Sequence, residues 1–342
     1  MVCPKNISKR GIAVAGSLIL DIINSIDIYP KSGMMAYING SSSYAVGGCA
    51  ANTSIDIAKI DSTISIDVYG RVGLDENGKY IISQLRNNGI NTNKIVYSNK
   101  TPTSFCDVMS VPSGERTFFH QKGANAEFSP EDIDIESLNC DIFHIGYIFL
   151  LDKFDADDKE YGTVMARFLH NVQKAGIKTS IDMVSDSTAD YAKLLVPTFK
   201  YCNYVIINEV ECCTVWGLPA RNDDGSINKD NVLEAMRRTI DAGVSDRVIV
   251  HAKECCFIMN SKKEFVEVSS LKIPPEEIKG SVGAGDAFCA GCLYGIYNNY
   301  SDRQMLEFAS AAAACNLFSE NSVDGMRSKL EIIQMQEKYP RR

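Results

Sequence analysis

In the stretch GSVGAGDAF, residues 280–288, Gly283 and Gly285 flank Ala284, and Asp286 follows directly ahead of an apolar run. Glycine lets a chain turn sharply and lets another group approach its backbone. A helix that starts here carries unpaired N–H groups and partial positive charge at its mouth. The N–H groups of Ala284, Gly285 and Asp286 would then face an anion. Such an arrangement can stabilise charge that develops on a phosphoryl group in transfer. Asp286, beside it, could take a proton from an attacking hydroxyl. The same residues also read as a plain helix cap, and taken alone they leave both readings open.

Two neighbouring patterns are decoys. GLDENGKY, residues 73–80, has the G-x-x-x-x-G-K spacing of a phosphate-binding loop between a strand and a helix. That loop needs Ser or Thr after the lysine to hold Mg²⁺. Tyr80 stands there instead, and Asp75 and Glu76 would put negative charge into the cradle. The segment reads as a turn and a helix start. The dinucleotide pattern G-x-G-x-x-G fails at Phe288. Cys289 and Cys292 form a C-x-x-C, but inside an expected helix beside small residues, so they read as core thiols.

The elements that must position these residues alternate along the chain. GIAVAGSLIL (11–20) is a continuous apolar run and reads as one buried strand. GGCAANTSIDIAKI (47–60) changes to helical spacing, with Ala51, Ile55 and Ala58 on one face. A strand at SIDVYGRVG and a helix ended by Gly89 follow. TSFCDVMSV and RTFFHQ flank the turn PSGE (112–115) as a hairpin. Then DIFHIGYIFL, KTSIDMV, YVIINE and RVIVHA read as strands, the first followed by a helix over KEYGTVMARFLHNVQKAG. CCFIMN and EFVEVSS form a late hairpin, and residues 284–336 are mostly helical. Strand–helix alternation implies an α/β fold, three layers deep, with a mostly parallel sheet covered on both faces. Residues 22–46 and 100–122 break that rhythm and are expected to form a small accessory sheet.

Composition bounds the partners. With 45% hydrophobic and 23% charged residues the chain is of ordinary soluble globular type. A net charge of −8 argues against non-specific nucleic-acid binding, yet leaves room for a local basic pocket. No run is as long as a membrane span, and MVCPKNISKRGIAVAG has no signal-peptide core. The expectation is a cytoplasmic protein with neither a membrane nor a nucleic-acid partner.

Several segments in order resemble the PfkB, or ribokinase-like, family of carbohydrate kinases. GSVGAGDAFCAGCLYG resembles its C-terminal signature and GGCAANTSIDIAKI its N-terminal one. YGRVGLDENGKYIISQLRNNGI resembles the segment between them, and the hairpin region resembles the family's lid. NEVE (208–211) matches its N-x-x-E motif. The resemblance implies a single ribokinase-like domain over 10–336, with lid strands from about 22–46 and 100–122. It implies ATP-dependent phosphorylation of a hydroxyl on a small ribose- or fructose-like sugar, with Mg²⁺ bridging the phosphates. A nucleoside kinase and a non-catalytic sugar-binding regulator are the alternatives.

Carried over position by position, Asp286 matches the catalytic base, and Gly283, Ala284 and Gly285 the anion hole. Asp21, Gly47, Gly48 and Asn52 match the substrate site. Asn208 and Glu211 match residues that organise phosphates, water and Mg²⁺, with Glu211 acting on the metal indirectly. His251 and Lys253 stand, with Cys256, where the nucleotide-side strand usually continues T-x-G-x-x-G. Gly280 stands where the family usually has an Asp that helps hold a monovalent cation, so weak or absent potassium activation is expected. From the residues themselves, Glu211 reads as an exposed first-turn acid and Asn208 as a helix cap. His144 reads as a core histidine; Arg116, Lys122 and Asn125, near the lid, could touch substrate but read first as solvated hairpin charge. A homodimer through the lid is a further expectation.

Overall fold

A strand buried on both faces needs apolar side chains at consecutive positions, and the runs named above supply them. The computed structural model describes residues 10–112, 115–186 and 189–342. The first residues, read above for a signal segment, and Ser113 and Gly114 of the expected turn lie outside the described residues.

In chain order the elements are β1 (Ile12–Gly16), β2 (Ile19–Ser25), β3 (Ser43–Gly47), α1 (Cys49–Ile60), β4 (Ile66–Gly73), α2 (Glu76–Asn87), β5 (Ile95–Ser98), β6 (Phe105–Ser110) and β7 (Arg116–Gln121). They continue with β8 (Ile142–Ile148), β9 (Asp157–Asp158), β10 (Gly162–Thr163), α3 (Val164–Lys174), β11 (Lys178–Met183), α4 (Tyr191–Phe199), β12 (Tyr204–Asn208) and α5 (Glu209–Thr214). Then come α6 (Lys229–Asp241), β13 (Arg247–His251), β14 (Cys255–Asn260), β15 (Phe265–Ser269), α7 (Ala284–Tyr297), α8 (Asp302–Asn316) and α9 (Lys329–Lys338).

The central sheet has the order β15-β14-β13-β12-β11-β8-β1-β4-β5. It is parallel from β13 to β5 and antiparallel in the β13–β14–β15 meander. Side chains alternate between two cores. Ile12 and Val14 of β1 enter one with α1, α2, α7, α8 and α9, while Ala13 and Ala15 enter the other with α3 to α6. This is a three-layer α/β/α sandwich. Strand order reverses between β1 and β8, and in such sheets the crevice at the C-terminal strand ends is where ligands bind. No helix among the described residues is long and apolar enough to cross a membrane.

A second sheet has the order β3-β2-β6-β7, parallel between β2 and β6 and antiparallel otherwise. It corrects one expectation. The run 11–20 is two strands in two sheets, broken at Ser17 and Leu18. Gly16 sits at φ 135°, where a Cβ would lie 2.7 Å from both Cys49 Sγ and Gly146 O. Leu18 pairs with the Asn125 amide, which accepts from its N–H at 3.1 Å and donates to its carbonyl at 3.2 Å. Hydrophobicity alone does not show that corner. The helix expected over 159–176 starts only at Val164, because Gly162 is left-handed and the Thr163 hydroxyl caps Ala166 N–H at 3.0 Å.

The decoy at 73–80 is a capped helix start, with Asp75 accepting from Gly78 N–H at 2.9 Å and from the Thr103 hydroxyl at 2.6 Å. The described cysteines are free and buried, Cys289 and Cys292 among them.

Candidate active site

Helix α7 begins just past Gly283, which is left-handed at φ 79° and whose missing Cβ leaves room for the Ser322 backbone. The loop ahead of it is tied down by Asn316 Nδ2, which donates to Val282 O at 2.6 Å. Ala284 N–H is spent on a turn bond to Ser281 O at 3.2 Å. That narrows the expected trio of donors. Gly285 and Asp286 N–H have no backbone acceptor among the described residues and remain available to an anion.

Asp286 is 5% exposed. Its Oδ2 accepts from Asn52 Nδ2 at 2.8 Å and from the Tyr147 hydroxyl at 3.1 Å. Its Oδ1 has no hydrogen bond among the described residues. Burial pushes this carboxyl up to about 7, the Asp182 charge adds to the shift, and the Asn52 and Tyr147 hydrogen bonds oppose it.

Asn52 lies in the first turn of α1, whose N-cap Gly48 is at φ 84° against the Ser17 carbonyl. Gly47 packs directly on the Asp21 carboxylate, so a side chain there would displace it. Both glycines are therefore required by the protein's own atoms. Asp21 sits on β2 in the small sheet. Burial pushes it up to about 7 and the Arg116 charge opposes the shift.

Tyr147 and Asp182 were not found from sequence. Tyr147 holds a positive φ of 58° at the end of β8 and donates its N–H to Asp182 Oδ1 at 2.6 Å. Gly146 leaves the space that this carboxylate fills. Asp182 Oδ2 lies 3.2 Å from His144 Nε2, and His144 Nδ1 lies 3.0 Å from Ser180 Oγ. His144 is wholly buried but links a polar chain running beneath Asp286. The available signal was a polar residue at the C-terminal end of each of two adjacent core strands.

Asn208 caps α5 by accepting from Glu211 N–H at 2.8 Å. Glu211 is not the exposed acid that its helix position implied. It is 5% exposed, with Oε2 accepting from Asn208 N–H at 3.0 Å and Oε1 from the Ser185 hydroxyl at 2.8 Å. Burial pushes it up to about 7.

Two cavities meet at residues 281–285. One, of about 530 Å³, is lined by His251, Lys253, Gly285, Phe288 and Leu317. Burial depresses His251 to about 4, so its ring is neutral at pH 7, and it packs on Phe288 with centroids 4.9 Å apart. The other, of about 1110 Å³, lies between the small sheet and the loop through Gly280. Arg116 reaches it from β7 and donates to Glu320 O at 3.0 Å, while Lys122 pairs with Asp152 near the surface. Asn125, expected to be solvated, is fully buried.

A family model described as pfkB family carbohydrate kinase matches residues 10–329. The chain belongs to this family. It is a kinase that transfers phosphate to a sugar. It is 24% identical to a 5-dehydro-2-deoxygluconokinase of Geobacillus kaustophilus, over 86% of this chain and 85% of that one. Its fold is similar to that of Arabidopsis thaliana ribokinase complexed with ribose and ATP (TM-score 0.77, 20% identity, 96% of this chain and 99% of that). It is also similar in fold to a nucleoside kinase of Methanocaldococcus jannaschii (TM-score 0.73, 19% identity, 96% and 98%). The fold of this sugar kinase therefore does not choose the acceptor.

Proposed function

We propose that the kinase uses ATP to phosphorylate a hydroxyl of a small, ribose- or fructose-like sugar. The observation that carries this is the posture of Asp286: Oδ2 is pinned by two donors, Oδ1 has no hydrogen bond among the described residues, and the group directly follows Ala284 and Gly285, which line the smaller cavity. The larger cavity takes the acceptor, with Asp21 accepting hydrogen bonds from adjacent hydroxyls. The smaller takes the nucleotide between neutral His251, Phe288 and exposed Lys253. Oδ1 of Asp286 accepts the hydroxyl proton as the sugar oxygen bonds to the γ-phosphorus and the bond to the ADP oxygen breaks. Gly285 and Asp286 N–H hold the charge that develops on the transferring group.

Mg²⁺ fits the donor set. Asp286 and Glu211 are both pushed up in part by the Asp182 charge, so three carboxylates crowd one region. Oxygen ligands of this kind suit a hard dication. Both oxygens of Glu211 are held by Asn208 and Ser185, which favours action on the ion through water. A bound Mg²⁺, held through water by Glu211, would supply positive charge that offsets the phosphates.

The small sheet acts as a lid of the domain spanning 10–336, excluding water so that phosphate passes to the sugar. The lid region also exposes Met34, Met35, Tyr37 and Phe119, which favours a homodimer through paired lids. The free, buried thiols suit a reducing compartment, the cytoplasm. The acceptor cavity presents the hydroxyls of Ser25, Ser43, Ser110 and Ser281, which suit a polyol, beside the rings of Tyr44 and Phe118, which suit a base, so the test includes both acceptors. The test is ADP release by purified protein across a panel of sugars and nucleosides. Release with nucleosides alone would replace the sugar reading, and none with any acceptor would sink both.

A further inference from the structure

The larger cavity carries more than hydroxyl-binding groups. Ser25, Ser43 and Ser110 of the small sheet face Ser281 and Ser319 of the body across it. Hydroxyls of this kind both donate and accept, which suits a polyol. Two cations, Arg116 and Lys279, line the same space, and neither forms an ion pair among the described residues.

Arg116 is placed with some precision. Its Nη2 donates to Glu320 O at 3.0 Å, and its Nη1 and Nε have no hydrogen bond among the described residues. The same side chain lines a small recess with Asp21, Val282 and Ser322, and Ser322 packs on Gly283, three residues ahead of Asp286. Gly280 keeps the place open, since a Cβ there would lie 3.5 Å from Nη2 and 2.9 Å from Ser319 O. One carbonyl satisfies little of a five-donor guanidinium, whose planar fork matches the two oxygens of an anionic group. A surface latch would not need to face the acceptor cavity.

The geometry points to an acceptor that is an anionic sugar, a polyol whose carboxylate or phosphate pairs with Arg116 while a hydroxyl at its far end reaches Asp286. This rests on the kinase reading above, with Arg116 as a specificity-determining residue and Lys279 adding long-range attraction. Asp21, on the inner side of the recess, is left to accept from the hydroxyls between the two ends.

Calorimetric binding to the full chain tests it with three matched acceptors: fructose, fructose 6-phosphate and gluconate. At least one anionic arm should bind roughly 10- to 100-fold more tightly than the neutral sugar, the scale of a charge-assisted contact. The arm that gains tells carboxylate from phosphate. Arg116→Gln should erase that advantage, and Arg116→Lys should restore part of it, with thermal melts checking that both variants fold. Equal or tighter binding of the neutral sugar would overturn the inference. So would an Arg116→Gln loss that is the same for charged and neutral sugars. ADP release in the same samples separates the two ideas. Phosphorylation without an anion advantage sinks the charged subsite and leaves the kinase reading. Anion-selective binding with no turnover supports the subsite and sinks the kinase reading.

Discussion

The two cavities that meet at Ile278 and Ser281 are built on different principles. The smaller is walled by the end of β13 and by α7 and α8, elements that belong to the packed core. Its lining is largely apolar, with Phe288, Leu317 and Ala313, and its histidine is neutral. The larger is roofed by a small sheet that contributes little buried core and carries its key groups, Asp21 and Arg116, on strands. One side is walled by the packed core, whereas the other is more polar and lies between the small sheet and the body. Asp286, just past the loop through Ser281, is held by Asn52 and Tyr147, groups that come from a helix and a sheet end. On the proposed assignment the apolar cavity takes the nucleotide and the polar one the acceptor, and positioning them against each other is the main task of catalysis.

The largest break should come at Asp286 itself. Asp286→Asn should lower kcat by roughly 10²- to 10⁴-fold, because it removes the proton acceptor. Steady-state kinetics with either substrate varied checks that both KM values change far less.

The second effect is set by pH. With Asp286 near 7, activity should fall about tenfold for each pH unit below that value, as the base becomes protonated. The sign for stability is opposite. The unfolded chain releases this proton near 3.8 and the folded chain holds it to about 7, so stability is lost as pH rises through that window. A kcat/KM profile and melts across the same pH range test both directions.

The two sides then separate. Asp21→Asn should raise the acceptor KM by roughly 10- to 100-fold and leave the ATP KM nearly unchanged. On the other side, Gly285→Ala should fold normally, because its Cβ would meet His251 only at ordinary contact distance, 3.5 Å. It should instead raise the ATP KM by about tenfold through crowding of the nucleotide side. Gly283→Ala differs in kind: its left-handed backbone and the Ser322 backbone should make it less stable by about 1–3 kcal/mol, read as a lower Tm. The smallest effect concerns potassium. With Gly280 in place of an acid, replacing sodium by potassium at constant ionic strength should leave turnover within experimental scatter, and a strong activation would contradict this.

Much of the fold was legible because burial on both sheet faces leaves a continuous apolar signature, as in YVII and RVIV. GAGD was legible for a similarly local reason, since two glycines before an acid state a backbone requirement. Less local features were hidden. The break at Ser17 and Leu18 depends on Asn125, more than one hundred residues away. Tyr147 and Asp182 meet because β8 and β11 are neighbours, and no spacing in the chain encodes that. Glu211 shows the same limit, because its helix position says exposed acid while the packing around α5 buries it.

By itself the sequence determined the alternation of strands and helices, the glycine-lined helix mouth and the family, since each is written in short runs of neighbouring residues. Only the tertiary structure decided which oxygen of Asp286 is left unbonded, that Asp21 and Arg116 share a recess, and that two cavities meet at one loop. Those facts depend on groups far apart in the chain being brought within a few ångströms, and packing alone sets such distances.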